Sequence, residues 1–144
     1  MKKLLILLLT IITVTSLVAC GTKKIEEIPE DSIIMTANYA PGGAQTKEQF
    51  EAGCQEFTVY KSGKVIDEDG KEIQLSDKDT NSICDYYDKF VDGKAKKTEG
   101  VICDYPSYSV TVNTGTDKII VKSNANEQCE EVEEVLQIIF NYYD

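Results

Sequence analysis

The spacing of apolar and polar residues divides this chain into alternating strand-like and helix-like stretches. Ile33, Ile34 and Met35 make residues 32–39 a first strand. Phe57 and Val59 alternate with Thr58 and Tyr60, so residues 56–66 read as the clearest strand, with Ser62-Gly63 allowing a bend or bulge. Asp67-Glu68-Asp69-Gly70 is a hairpin turn, and residues 71–75 return as a short strand. The period then changes. Ser76 with Asp79 fits a helix cap, and Ile83, Tyr87, Phe90 and Val91 form one apolar stripe before Asp92-Gly93 stops the helix. Residues 94–100 read as a charged loop. Tyr108, Val110 and Val112 alternate with Ser109 and Thr111 in a strand over 105–113. Residues 118–123 return as its partner after the turn at Gly115-Thr116-Asp117. The last segment is an amphipathic helix. Asn124 and Glu127 are read as its cap, acids crowd its first turns, and Val132, Val135, Leu136, Ile139, Phe140 and Tyr143 line its apolar face, with Cys129 one turn ahead.

An antiparallel sheet needs one face covered, and two amphipathic helices supply the cover. The pattern therefore predicts an α+β fold: an antiparallel sheet of four to five strands with two amphipathic helices packed on one face, in the order ββ(β)αββα. Between the first two strands lies a long connection, residues 40–53. Pro41-Gly42-Gly43 marks a turn within it, and residues 46–53 read as a helical turn or a mobile loop.

The N-terminus follows a different pattern. Lys2 and Lys3 precede an apolar run from Leu4 to Val14, which ends in Leu17-Val18-Ala19-Cys20-Gly21. The run is shorter than the roughly 20 residues that span a bilayer, and Thr10, Thr13, Thr15 and Ser16 dilute it. This stretch resembles the lipobox of bacterial lipoproteins. The resemblance implies a diacylglyceryl group on the Cys20 thiol and cleavage just before it. The alternatives are a plain cleaved signal peptide and a membrane helix. The expected organisation is a lipoprotein signal peptide over 1–19, a lipidated N-terminus and polar tether over 20–31, and a single α+β domain over 32–144. The expected location is the outer, extracytoplasmic face of the cell membrane.

Removing the first 19 of 144 residues takes away two lysines and no acid, so the formal charge moves from −10 to −12. Such an acidic surface argues against nucleic acid as a partner. The membrane, through the lipid anchor, and a possible protein partner remain. Four cysteines follow Cys20: Cys54, Cys84, Cys103 and Cys129. An even number in an exported chain reads as two disulfides, with Cys84–Cys103 and Cys54–Cys129 as the favoured pairing. Free thiols are the alternative. Zinc is disfavoured by spacings of 30, 19 and 26 residues and by the lack of histidine.

Without histidine, Ser-His-Asp and Cys-His arrangements are excluded, and the chain has no phosphate-cradling glycine loop. Asp67 to Lys71 superficially matches a calcium loop, but its twelfth position is Lys78 and its glycine falls two places early. No catalytic residue, cofactor or metal ligand is assigned. The tyrosines Tyr86, Tyr87, Tyr105, Tyr108, Tyr142 and Tyr143 are a candidate binding surface, with Tyr86 and Tyr142 as the exposed member of each doublet.

The segments Phe57 to Val65, Asp104-Tyr105-Pro106-Ser107-Tyr108-Ser109-Val110-Thr111-Val112 and Glu131 to Tyr142 together resemble emfourin-like small bacterial proteins. The resemblance implies the same order of strands and helices, and it raises inhibition of metallopeptidases as an activity. The four cysteines are not part of that pattern. The sequence is thus read as a membrane-anchored, non-enzymatic extracytoplasmic binding domain. A cell-surface protease inhibitor and an envelope enzyme are the alternatives. The inhibitor reading points to residues 40–53 as the display loop.

Overall fold

The structure is a computed structural model, and it describes residues 24–100 and 103–143. Cys20 and the signal-peptide-like segment lie outside the described residues.

The fold is α+β. Six antiparallel strands form the main sheet in the order β4-β3-β2-β1-β6-β7, with β1 Ile33–Ala40, β2 Gln55–Tyr60, β3 Lys64–Asp67, β4 Glu72–Gln74, β6 Ser107–Asn113 and β7 Lys118–Ser123. A second, two-stranded sheet pairs β5 Lys97–Glu99 with β8 Glu127–Cys129. The helices are α1 Lys47–Gly53, α2 Asp77–Val91 and α3 Glu130–Phe140.

Helices α2 and α3 pack on one face of the main sheet and touch each other. Alternation along each strand delivers the core from that face: Met35 and Ala37 from β1, Phe57 and Val59 from β2, Val110 and Val112 from β6. From the helices, Ile83, Tyr87 and Phe90 meet Val132, Val135, Leu136 and Ile139, all essentially without solvent contact. The opposite face carries Thr36, Thr58 and Thr111, which the register places side by side on three adjacent strands.

Local chemistry fixes the boundaries. The stretch expected as one strand over 56–66 is divided into β2 and β3 by the turn at Lys61-Ser62-Gly63. Gly63 has a φ of +81°, which favours glycine, and an added Cβ would overlap the Thr80 hydroxyl on α2. Ser76 caps α2 as expected, accepting the Asp79 N–H at 3.2 Å. Lys47–Gly53 form a true helix, closed at its start by a capping box between Thr46 and Gln49.

Three expectations need correction. The counts are higher than four to five strands and two helices: residues 56–66 split into β2 and β3, the exposed, charged β5 carries no apolar alternation and pairs with β8, and α1 is a third helix. The last helix begins at Glu130. The Asn124 side chain instead accepts the N–H groups of Asn126 and Glu127, ordering the turn before β8. The polar tether is docked from Lys24 onward: Ile25 and Ile28 are buried in the core cluster. There the Ile25 N–H donates to Asp88 at 3.2 Å, and Lys61 donates to the Ile28 carbonyl at 2.7 Å. Lys24 reaches Asp92 at 2.8 Å, and Lys94 reaches the same carboxylate at 2.9 Å. The two ammonium groups hold the Asp92 carboxyl down at about 2.

One acid on α3 is buried. Glu131 accepts the Lys96 N–H at 3.1 Å and faces Lys89 at 3.9 Å. Glu134 stays at the surface. Leu136→Ala is expected to cost about 2–5 kcal/mol by opening a cavity. Glu131→Ala should cost about 1–3 kcal/mol by orphaning a backbone donor, and Glu134→Gln no more than about 0.5 kcal/mol. Denaturant unfolding of the three variants checks the ranking, and a Glu134 variant more damaging than the Leu136 variant would overturn the assignment of the buried face.

Candidate functional site

At the end of the sheet where β1 finishes, aromatic side chains gather. Tyr39 on β1 stands directly opposite Gln55 on β2 and Tyr108 on β6. The Tyr39 and Tyr108 rings lie 5.5 Å apart, and Tyr39 meets Phe140 of α3 edge to face at 5.5 Å. Phe140 meets Phe57 at 5.8 Å, Phe57 meets Tyr143 at 5.2 Å, and Tyr105 joins the far side at 6.1 Å from Tyr108. The result is a ribbon of six rings across one end of the domain. Such ring pairs add about 0.5–1.5 kcal/mol each beyond area burial.

The ribbon floors a cleft of about 420 Å³ lined by Tyr39, Gln55, Tyr108, Gln137, Phe140 and Tyr143. Past Gln55 and Tyr143 it continues into a smaller hollow walled by Asp67, Glu68 and Asp69, while alternation along β2 turns Glu56 to the opposite face of the sheet, beside Asn38 and Ser109. Tyr143 anchors that junction. Its hydroxyl donates to the Lys71 carbonyl at 3.1 Å, while the Lys71 ammonium sits 4.8 Å above its ring. On the opposite side, Ser123 donates to Glu133 at 2.5 Å, and Tyr105 is hydrogen-bonded to the same carboxylate. Burial, then that carboxylate, pushes the Tyr105 phenol up to about 12.

The tyrosine surface expected from sequence is partly relocated. Tyr105, Tyr108 and Tyr143 belong to the ribbon, and Tyr39 and Phe140 join them without having been singled out. Tyr87 is in the core, its hydroxyl donating to the Asn113 carbonyl at 3.0 Å. Tyr86 and Tyr142 are half-buried rather than free. Tyr86 donates to Glu134. Tyr142 donates to Asp79 at 2.6 Å and accepts the Ser76 N–H at 2.9 Å, tying the C-terminus to the start of α2.

The connection over 40–53 borders the same end. Gly42 lies against the backbone of Asp104 and Tyr105, where an added Cβ would overlap the Asp104 carbonyl oxygen, and Gly53 packs on the Pro41 ring. Between these pinned ends α1 exposes Phe50, 43% accessible.

The four described cysteines are free thiols, and neither expected pair is bonded. Strand geometry supplies the reason. Cys84 lies on α2 in the field of Lys61 and Glu30, where β1 begins. Cys103 precedes Asp104, beyond the point where β1 ends; the eight residues of β1 cover about 23 Å. Gln55, next to Cys54, stands three strands from Ser123, whose hydroxyl accepts the Cys129 N–H. That separation is about 14 Å, against at most about 7 Å between the Cα atoms of a disulfide. Burial pushes the Cys84 and Cys129 thiols up.

Among the described residues, no group of three or more Cys, Asp or Glu is placed to hold a metal ion, and no helix is long and apolar enough to cross a membrane. Comparison with protein-family models, with curated proteins and with solved structures finds no match.

Two outcomes follow from this geometry. In the native protein, alkylation should reach exposed Cys103 first and buried Cys129 last; equal rates at all four thiols would contradict the burial order. Alkaline titration by ultraviolet absorbance should show Tyr105 ionising late. Its raised value means that its contribution to stability is complete below the ordinary tyrosine range near about 10 and is lost as pH rises through about 12. Glu133→Gln should move that ionisation down, and an unmoved titration would overturn the Tyr105–Glu133 assignment.

Proposed function

We propose that this chain is a lipid-anchored, non-enzymatic binding domain on the outer face of the cell membrane, and that the aromatic cleft is its binding site. The observation that carries the binding reading is the cleft itself. It is open, ring-floored and edged by amides and carboxylates, and it gathers side chains from three strands and a helix. The anchoring reading rests on the sequence ending at Cys20.

The docking of Lys24 to Ile28 gives the two readings a common geometry. The chain joins the folded body along α2, at the end of the sheet where β1 begins, and the cleft opens where β1 ends. Only residues 21–23 separate Cys20 from the docked Lys24. At roughly 3.3–3.6 Å per residue, the four steps from Cys20 to Lys24 reach no more than about 14 Å. A domain held this closely by two acyl chains stands on its α2 side and turns the cleft outward.

A second reading, the surface protease inhibitor, is favoured by Phe50. It is a large apolar side chain displayed on a short helix within a connection pinned at Gly42 and Gly53. A rigid loop loses less entropy on binding than a mobile one.

Replacing Cys20 by Ser and following the protein in membrane and soluble fractions, with a labelled fatty acid fed to the cells, tests the anchor. The expected outcome is loss of label and release from the membrane. Unchanged label and unchanged attachment would sink the reading.

A further inference from the structure

We propose that the aromatic cleft and the acidic hollow beside it form one docking groove for an extended, lysine- or arginine-bearing peptide segment of a partner protein. This rests on the binding reading above and names the chemistry of its ligand.

Three observations converge. The first is continuity: Gln55 and Tyr143 line both the aromatic cleft and the acidic hollow, so an extended chain crosses from ring edges to carboxylates without leaving the surface. The second is unspent charge. Glu68 and Asp69 carry no lysine partner among the described residues, whose ion pairs involve Asp92, Glu51, Glu30, Glu131 and Glu127 instead. Asp67 turns one oxygen to the N–H groups of Asp69 and Lys71, which fixes the hairpin and leaves its neighbours facing water. The third is that Tyr143, which lines both parts, already receives a cation on its ring, the Lys71 ammonium at 4.8 Å.

A neutral glycan fits less well. Sugars stack on open ring faces, whereas Tyr39 and Phe140 meet at 89° and Phe57 and Phe140 at 71°, so at each of these contacts one ring's edge takes up a face of the other. What remains for a ligand is ring edges, the hydroxyls of Tyr39 and Tyr108, the Gln55 amide and the carboxylate wall. These groups suit a peptide whose apolar side chains lie in the cleft while its cation reaches the wall. The acidic balance of the whole chain adds a long-range attraction for such a segment.

The test uses the mature protein from Cys20 onward, purified in detergent. The probes are a fluorescent ten-residue peptide of alternating arginine and leucine, the same peptide with glutamate for arginine, and a tetramer of N-acetylglucosamine. Anisotropy should show binding of the arginine peptide only, weakening as salt is raised. Neutralising the wall with Glu68→Gln and Asp69→Asn together should weaken it by about tenfold. A matched pair at remote exposed acids, Glu26→Gln and Glu27→Gln, should leave it unchanged. All four positions are exposed, and circular dichroism confirms that both variants fold. Equal loss in the two pairs would reduce the effect to net charge and overturn the site. Preference for the sugar would replace the peptide with a glycan. No binding of the arginine peptide up to about 1 mM would overturn the proposal. Because fractionation of the Cys20 variant is read separately, failure of the groove and failure of the anchor are told apart.

Discussion

The fold depends on one constraint: β1 must be paired on both sides. Its ladder with β2 brings in the meander β2-β3-β4, and its ladder with β6 brings in the hairpin β6-β7. No other ladder of the main sheet joins those halves. The β1–β6 pairing is also the non-local one, matching Ala40 to Ser107, 67 residues further on, so a long loop must close before its contacts form. The helices then secure it. With Val135, Leu136 and Ile139 over β1, β6 and β7, separating the two halves would expose the core face of both.

The same strand builds the cleft. Period two sends Met35 and Ala37 to the core, and two residues further it sends Tyr39 to the same face at the rim, where α3 ends and cover thins. Gln55 and Tyr108 arrive beside it because the register that buries Ala37 between Phe57 and Val110 leaves them no other place. A one-residue slip of β1 would empty the core and dismantle the ribbon together. Packing and site are thus set by one register.

Much of this was legible in the chain. Strict alternation at 107–113, the Ser76 cap and the three-and-four spacing from Val132 to Ile139 each name their element, because local propensity and tertiary burial agree there. The missed features are those where a short-range pattern is overridden. Lys97-Thr98-Glu99 has no apolar residue and becomes a strand only because β8 lies alongside. Ile25 and Ile28 sit among charges that read as tether, yet two apolar side chains and the Asp88 carboxylate suffice to dock them. Glu131 looks like its neighbours Glu130 and Glu133 until α3 turns it toward Lys89 and the Lys96 N–H. Cysteine pairing fails for a different reason: it depends on distances between ends of the sheet, which spacing along the chain does not encode.

The candidate site shows the same division. Tyr105, Tyr108 and Tyr143 were visible as aromatic residues, but Tyr39 and Phe140 looked like ordinary members of a strand and a helix. What joins them is their shared position at a rim, a tertiary property. The acidic wall was visible only as turn chemistry, since Asp67-Glu68-Asp69-Gly70 serves a hairpin whatever else it faces. Asp67 does serve that hairpin, with its carboxylate on the turn's own N–H groups. Glu68 and Asp69 are therefore surplus to the fold. A turn needs one such acid, and the two left over beside the hollow are where the structure departs from what folding alone requires.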